Sequence, residues 1–261
     1  MKAIEYSKAL YKIAKYDIME KLRSMPLEYE QTVKDATDQI KEKGFIVFEN
    51  YYTNEQCDKM REEVDRLHNT YKEKIWNDNL KADKRLFGGD RKSDLINAFY
   101  EDAFINRIRN LYYKTTDVVG CTLAARIDAV KENLGSGGGW HRDSIYGVQL
   151  KSFLYLTDVS ERHGPFEYVS HTHSQSAKLA AIKKCGVKAD QNRLNPEIIE
   201  HLLKEEDYNL ITFAAKKGTL FIVDTTGIHR GKPIEEAFRY ALTNYWYANK
   251  IPAHVEEVII K

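Results

Sequence analysis

Three cysteines among 261 residues are too few and too scattered for a covalent scaffold. Cys57, Cys121 and Cys185 stand far apart and are odd in number, which argues against a disulfide framework or a cysteine-ligated zinc cluster and points to reduced thiols. Net charge is almost absent as well. Lys+Arg 40 against Asp+Glu 39 leaves +1, so the chain lacks the basic footprint of a nucleic-acid-binding protein. No apolar run approaches the length of a membrane span. The opening Met1-Lys2-Ala3-Ile4-Glu5-Tyr6-Ser7-Lys8 lacks the uninterrupted apolar stretch of a targeting signal. A soluble, cytoplasmic protein without nucleic-acid or membrane partners is expected. Repeats, low-complexity tracts and linkers are missing too, so residues 1–261 read as one domain.

What is present divides the chain by texture. Ala9, Leu10, Ile13 and Ala14, then Val33, Ala36 and Ile40, recur at helical spacing until Gly44 ends the pattern. Phe45-Ile46-Val47-Phe48 reads as a short buried strand, and Thr53 to Gln56 has the form of a capping box opening a helix with Cys57, Met60, Val64 and Leu67 on one face. Residues 73–94 are charged and turn-rich around Gly88-Gly89 and read as a surface loop or lid; a further helix is expected around Phe104, Ile105, Ile108 and Leu111. From about residue 118 short strands take over: 118–119, 122–125, 150–156, 166–169, 219–223 and 240–247. Residues 174–210 interrupt them as a helical insertion, with Asn195 as cap and Pro196 at the first helical position. The seventeen tyrosines suit a strand-rich chain. The fold class is α+β: 1–117 mainly helical with one strand, and 118–250 a sheet-rich core carrying the insertion.

The chemistry concentrates in Gly137-Gly138-Gly139-Trp140-His141-Arg142-Asp143-Ser144. In an extended segment His141 and Asp143 turn to one face. That spacing alone is common and more often marks a surface strand. His229 follows the apolar Leu220-Phe221-Ile222-Val223 and would close a two-histidine, one-carboxylate set, which leaves coordination positions open and is typical of non-haem Fe(II) oxygenases. Ten residues on, an alternating segment places Arg239, Ala241, Thr243 and Tyr245 on one face. An inward arginine needs an anion. A structural ion pair would serve, but beside such a metal set a 2-oxo acid fits: its near carboxylate and keto oxygen chelate the metal while its far carboxylate docks on Arg239. The glycine run at 135–139 lacks the lysine and helix start of a phosphate loop.

Trp140 to Ser144, Gln149 to Val159, Gly164-Pro165-Phe166-Glu167-Tyr168-Val169 and His229-Arg230-Gly231 together resemble the phytanoyl-CoA dioxygenase-like family. So does the segment Gly44 to Tyr51 with the capped helix after it, while Arg85-Leu86-Phe87-Gly88 resembles relatives from bacterial glycan or natural-product pathways. The resemblance implies a double-stranded β-helix (jelly-roll, cupin-like) core and Fe(II), 2-oxoglutarate and O2 as cofactor and cosubstrates. It implies His141, Asp143 and His229 as iron ligands and Arg239 as the far-carboxylate anchor, with Thr243 and Lys151 as further cosubstrate contacts. Lys151 reads equally well as a solvated strand lysine. Two departures stand out. Gly231 replaces the family's usual Ser or Thr, and Ser170-His171-Thr172-His173 replaces Pro-Gly-Ser-His, placing two histidines near the expected cavity rim. Trp140, Tyr146, Tyr168 and Tyr245 are candidate substrate-cavity residues, and Arg85, Arg91 and Lys92 candidate lid cations. The expected reaction is hydroxylation of an unactivated C–H bond in a polar small molecule, a sugar derivative or specialised metabolite, with succinate and CO2 released. Halogenating relatives lack the carboxylate that Asp143 supplies. The alternatives are a non-oxidative cupin-like metal hydrolase or isomerase, against which Arg239 argues, and a non-catalytic ligand-binding jelly-roll module, against which the ligand trio argues.

Overall fold

The computed structural model describes residues 2–261. It opens with α1 (Lys2–Arg23) and α2 (Gln31–Lys43), the latter burying Val33, Ala36, Thr37 and Ile40 along one stripe. Gly44 stops α2 in the left-handed region at φ 92°, its N–H donating to the Ile40 carbonyl. The chain then enters β1 (Phe45–Phe48) and α3 (Asn54–Thr70). The capping box forms as the sequence predicts: Gln56 N–H donates to Thr53 Oγ1 at 3.2 Å, and Thr53 N–H to Gln56 Oε1 at 2.8 Å.

The segment 73–94 is not a loop. It contains β2 (Trp76–Asn77) and β3 (Asp83–Phe87), so residues 1–117 hold three strands instead of the expected one. Charge disguised β3. Its polar side chains are neutralised locally, Lys84 by Asp128 at 2.7 Å and Arg85 by Asp83, while Leu86 is fully buried. Then come α4 (Asp94–Tyr100), α5 (Ala103–Tyr113), β4 (Val118–Asp128), β5 (Leu150–Tyr155) and β6 (Phe166–Val169). The insertion holds α6 (Gln175–Cys185) and α7 (Pro196–Leu202); Asn195 sits at the cap of α7, but its side chain makes no capping bond. The chain ends with β7 (Leu210–Thr212), β8 (Leu220–Asp224), β9 (His229–Gly231), β10 (Phe238–Ala248) and α8 (Ala253–Glu256). No helix among the described residues is long and apolar enough to cross a membrane.

A seven-stranded antiparallel sheet runs β1-β8-β5-β10-β4-β3-β2, and a three-stranded sheet runs β7-β6-β9. Strand alternation assigns each face its partner. Leu220 and Ile222 of β8, with Leu242 and Trp246 of β10, pack under the helices; Phe221 and Val223 face the small sheet and meet Phe166 and Tyr168. Phe153, Phe166 and Phe221 join the sheets with ring centroids 4.9–5.7 Å apart. The result is a double-stranded β-helix with N-terminal helices on one face and a helical insertion.

His68, buried at the α3–β4 contact, donates from Nε2 to the Ala124 carbonyl at 3.1 Å. Burial lowers its pKa from the ordinary 6.5, outweighing that hydrogen bond. A depressed histidine contributes stability that is complete above the unfolded value and is lost as pH falls below it. The urea midpoint therefore falls as pH drops below about 6.5, and His68→Gln lessens that fall; an identical pH dependence in the variant would contradict the assignment.

Candidate metal centre and its cavity

The glycine run bends the chain into the site. Gly137, Gly138 and Gly139 all take left-handed φ values, +85°, +66° and +92°, and a Cβ on Gly137 would lie 2.3 Å from the His141 ring. Beyond the turn, His141 pairs antiparallel with His229: each backbone N–H donates to the other's carbonyl at 2.9 Å. Asp143 N–H is held by the Thr225 carbonyl at 3.0 Å. The expected convergence follows. His141 Nε2 lies 3.7 Å from Asp143 Oδ1 and His229 Nε2 lies 3.5 Å from Asp143 Oδ2, with one donor atom from each residue inside 4.8 Å of the others.

Hydrogen bonds also choose the tautomers. Nδ1–H of His141 donates to Gly139 O at 2.8 Å and Nδ1–H of His229 to Gly227 O at 2.9 Å, leaving both Nε2 lone pairs toward the centre. Burial pushes His229 down to about 3 and lowers His141 as well, so both stay neutral ligands. Burial would raise the Asp143 carboxyl, yet the Lys151 ammonium beside it holds it well below the usual carboxylate range.

The trio opens on a cavity of about 90 Å³ between the sheets. Arg239, Ala241, Thr243 and Tyr245 of β10 all line it, on one face as the alternation predicts. Arg239 is 7% exposed, and its Nε and Nη1 are sealed from solvent without a partner. A buried guanidinium with free N–H groups is costly until a carboxylate takes them. Tyr155, which the sequence reading missed, lies beside it. Its hydroxyl accepts from Phe166 N–H at 3.0 Å, and burial raises its pKa, so it retains a proton to donate. The signal was available: Lys151, Phe153 and Tyr155 share one face of β5 by period two.

Lys151 is neither solvated nor turned toward Arg239. Its ammonium sits 2.7 Å from Asp143 Oδ2 and 3.7 Å from the centroid of the Tyr245 ring. Arg85 reaches the wall but is already engaged, paired with Asp83, donating to Ser136 Oγ at 2.8 Å and stacked over Trp76.

Other candidates lie elsewhere. Trp140 packs with Val169 of β6 and Leu194 of the insertion, beneath the Arg230 guanidinium. Tyr146 turns toward α1 and α6, its hydroxyl donating to Ala189 O. Tyr168 is fully buried, with its hydroxyl on Asp224 O. Each finds apolar packing or a carbonyl away from the cavity. Arg91 and Lys92 border an outer groove, Arg91 3.9 Å from Glu256. His171 and His173 are not on the rim: they hydrogen-bond the Glu42 and Lys41 carbonyls at the end of α2.

Gly231 has a steric cause. Its N–H donates to Ser136 O at 2.9 Å, and a Cβ there would lie 2.7 Å from Ser136 Cβ and 2.8 Å from Ser136 N. Gly231→Ser should therefore lose about 1–3 kcal/mol in urea unfolding and speed proteolysis within 130–139. Unchanged stability would show that the contact is not limiting.

Among curated proteins none matches the chain by sequence. Among solved structures, it is similar to EctD from S. alaskensis in its apoform (14% identity, TM-score 0.63, covering 88% of this chain and 82% of that one). It is also similar to the non-heme alpha ketoglutarate dependent carbocyclase SnoK from nogalamycin biosynthesis (13%, 0.61, 90% and 94%). A third is HygX from Streptomyces hygroscopicus with nickel, 2-oxoglutarate and hygromycin B bound (13%, 0.53, 82% and 86%). At these identities the likeness is one of fold. The model of the phytanoyl-CoA dioxygenase family matches residues 40–239, the whole span from the last turn of α2 to Arg239. The chain belongs to the phytanoyl-CoA dioxygenase family of Fe(II)- and 2-oxoglutarate-dependent oxygenases.

Proposed function

We propose that the protein, acting as one catalytic domain, hydroxylates an unactivated C–H bond of a polar small molecule, with 2-oxoglutarate converted to succinate and CO2. The observation that carries this reading is the Arg239 guanidinium, its Nε and Nη1 sealed and without a partner, in the same cavity as His141, Asp143 and His229. A metal hydrolase or isomerase has no use for a buried anion fork beside its metal, and a binding module has none for the convergent donors. The residues fit the implied groups: two neutral imidazoles and an ionised carboxylate suit Fe(II) with positions left open, and the free N–H groups of Arg239 suit a carboxylate.

In this account His141, Asp143 and His229 hold the iron, and Arg239 anchors the far carboxylate of 2-oxoglutarate. The Tyr155 hydroxyl donates to the same carboxylate in place of the side chain absent at Gly231, and Thr243 lines the wall between. Lys151 fixes the Asp143 carboxylate by holding Oδ2. Bound there, iron with 2-oxoglutarate and O2 supplies the oxidising power that breaks the C–H bond. Phe153, Phe166 and Phe221 keep water from the anchor. Asp143 occupies the position a halide would need, which favours hydroxylation over halogenation. SnoK, a carbocyclase, has a similar fold, so product analysis separates hydroxylation from ring closure.

Anaerobic addition of Fe(II) and then 2-oxoglutarate should produce a weak visible charge-transfer band that requires both. It should vanish in Asp143→Ala and His229→Ala. No band from folded wild-type protein would count decisively against the proposal. Tyr155→Phe should raise the 2-oxoglutarate concentration needed for half the band by about 10-fold without changing the Fe(II) requirement; an unshifted requirement would remove Tyr155 from the anchor.

A further inference from the structure

Behind the ligand segment lies a second space that shares no lining residue with the first cavity. It holds about 10 Å³, room for one water-sized occupant. Arg142 and Lys178 both line it, among apolar walls that include Ile182, Leu194 and Ile228. Arg142 is 4% exposed and Lys178 5%. Nη1 of Arg142 is committed to the carbonyls of Thr172 and Thr226. Among the described residues, no acceptor meets its Nε or Nη2, and none meets the Lys178 ammonium.

Asp224 is the carboxylate that acts on both cations. Its oxygens are already engaged: Oδ2 accepts from the Tyr112 hydroxyl at 2.6 Å and Oδ1 from Thr226 N–H at 2.9 Å, and it does not line the space. While Lys178 is protonated, two buried cations against one buried carboxylate leave +1 among largely apolar walls. Such an imbalance is costly, and it is relieved either by a counter-charge or by loss of the Lys178 proton. Burial, with Arg142 adding to it, pushes Lys178 down to about 7 against the pull of Asp224, as befits an ammonium short of anionic company.

We propose that Arg142 and Lys178 form a binding site for one small monovalent anion, of which chloride is the representative. Water would fill the space but leave the charge unbalanced, and a tetrahedral oxyanion is too large. The site joins two parts of the fold. Arg142 lies between His141 and Asp143, and Lys178 lies on α6, so a bound anion ties the insertion to the ligand segment. The proposal concerns groups outside the cavity and does not depend on the metal.

The test is thermal unfolding of the full chain at constant ionic strength, with sodium chloride replacing sodium gluconate. The midpoint should rise saturably by roughly 3–6 °C, and Lys178→Met should lose that increment. Lys178→Gln serves if the first variant does not fold. Crystals soaked in bromide should show an anomalous peak between guanidinium and ammonium. Equal midpoints in chloride and gluconate, or a chloride increment that survives in the folded variant, would overturn the proposal. A bromide peak without a chloride-dependent midpoint would mean binding at crystal concentration only, and would overturn it equally.

Discussion

One reciprocal pair of backbone hydrogen bonds, between His141 and His229, carries the candidate centre. It extends the small sheet beyond β9 and fastens the end of the glycine run to it, so residues 88 positions apart in sequence face each other across a single bridge. The imidazole centroids then sit 4.3 Å apart, and the Gly139 and Gly227 carbonyls turn each ring so that Nε2 points inward. Asp143 is added from the same segment through the Thr225 carbonyl at the end of β8. Five backbone carbonyls, those of Gly139, His141, Thr225, Gly227 and His229, thus set the geometry before any metal contributes, which is the sense in which such a site is preorganised.

Charge completes the cavity. Lys151 is balanced by Asp143, Arg85 by Asp83, and, just outside, Arg230 by Glu167. Arg239 is the cavity-lining arginine left with sealed, unpartnered N–H groups. In a poorly solvated space that difference decides where an anion settles. Near-neutral walls beside Arg85 and Lys151 also set aside the expectation that Arg85 meets a phosphate or carboxylate, since its guanidinium is taken by Asp83 and Ser136.

Period-two alternation made β10 legible, and with it the inward placement of Arg239, Ala241, Thr243 and Tyr245. Punctuation at Gly44 and Thr53 made the first helices and β1 legible. β3 was not, because local propensity sees Asp83, Lys84 and Arg85 as solvated charges, whereas the fold neutralises them within and between strands. The aromatic candidates failed for another reason. Sequence marks Trp140, Tyr146 and Tyr168 as large and amphipathic, but which face they occupy depends on the insertion and on α1, both distant in sequence. Tyr155 shows the converse: its inward direction was implied by Lys151, but its neighbour Arg239 comes from a strand 84 residues later.

The central claim is that the trio and Arg239 form one composite site, metal at one end and carboxylate anchor at the other. Calorimetric titration of 2-oxoglutarate into Mn(II)-loaded protein tests it most directly. Binding should require the metal, and Arg239→Met should weaken it by about 100-fold while Mn(II) affinity stays unchanged. Equal 2-oxoglutarate affinity in Arg239→Met, or none in the metal-loaded wild type, would contradict the account.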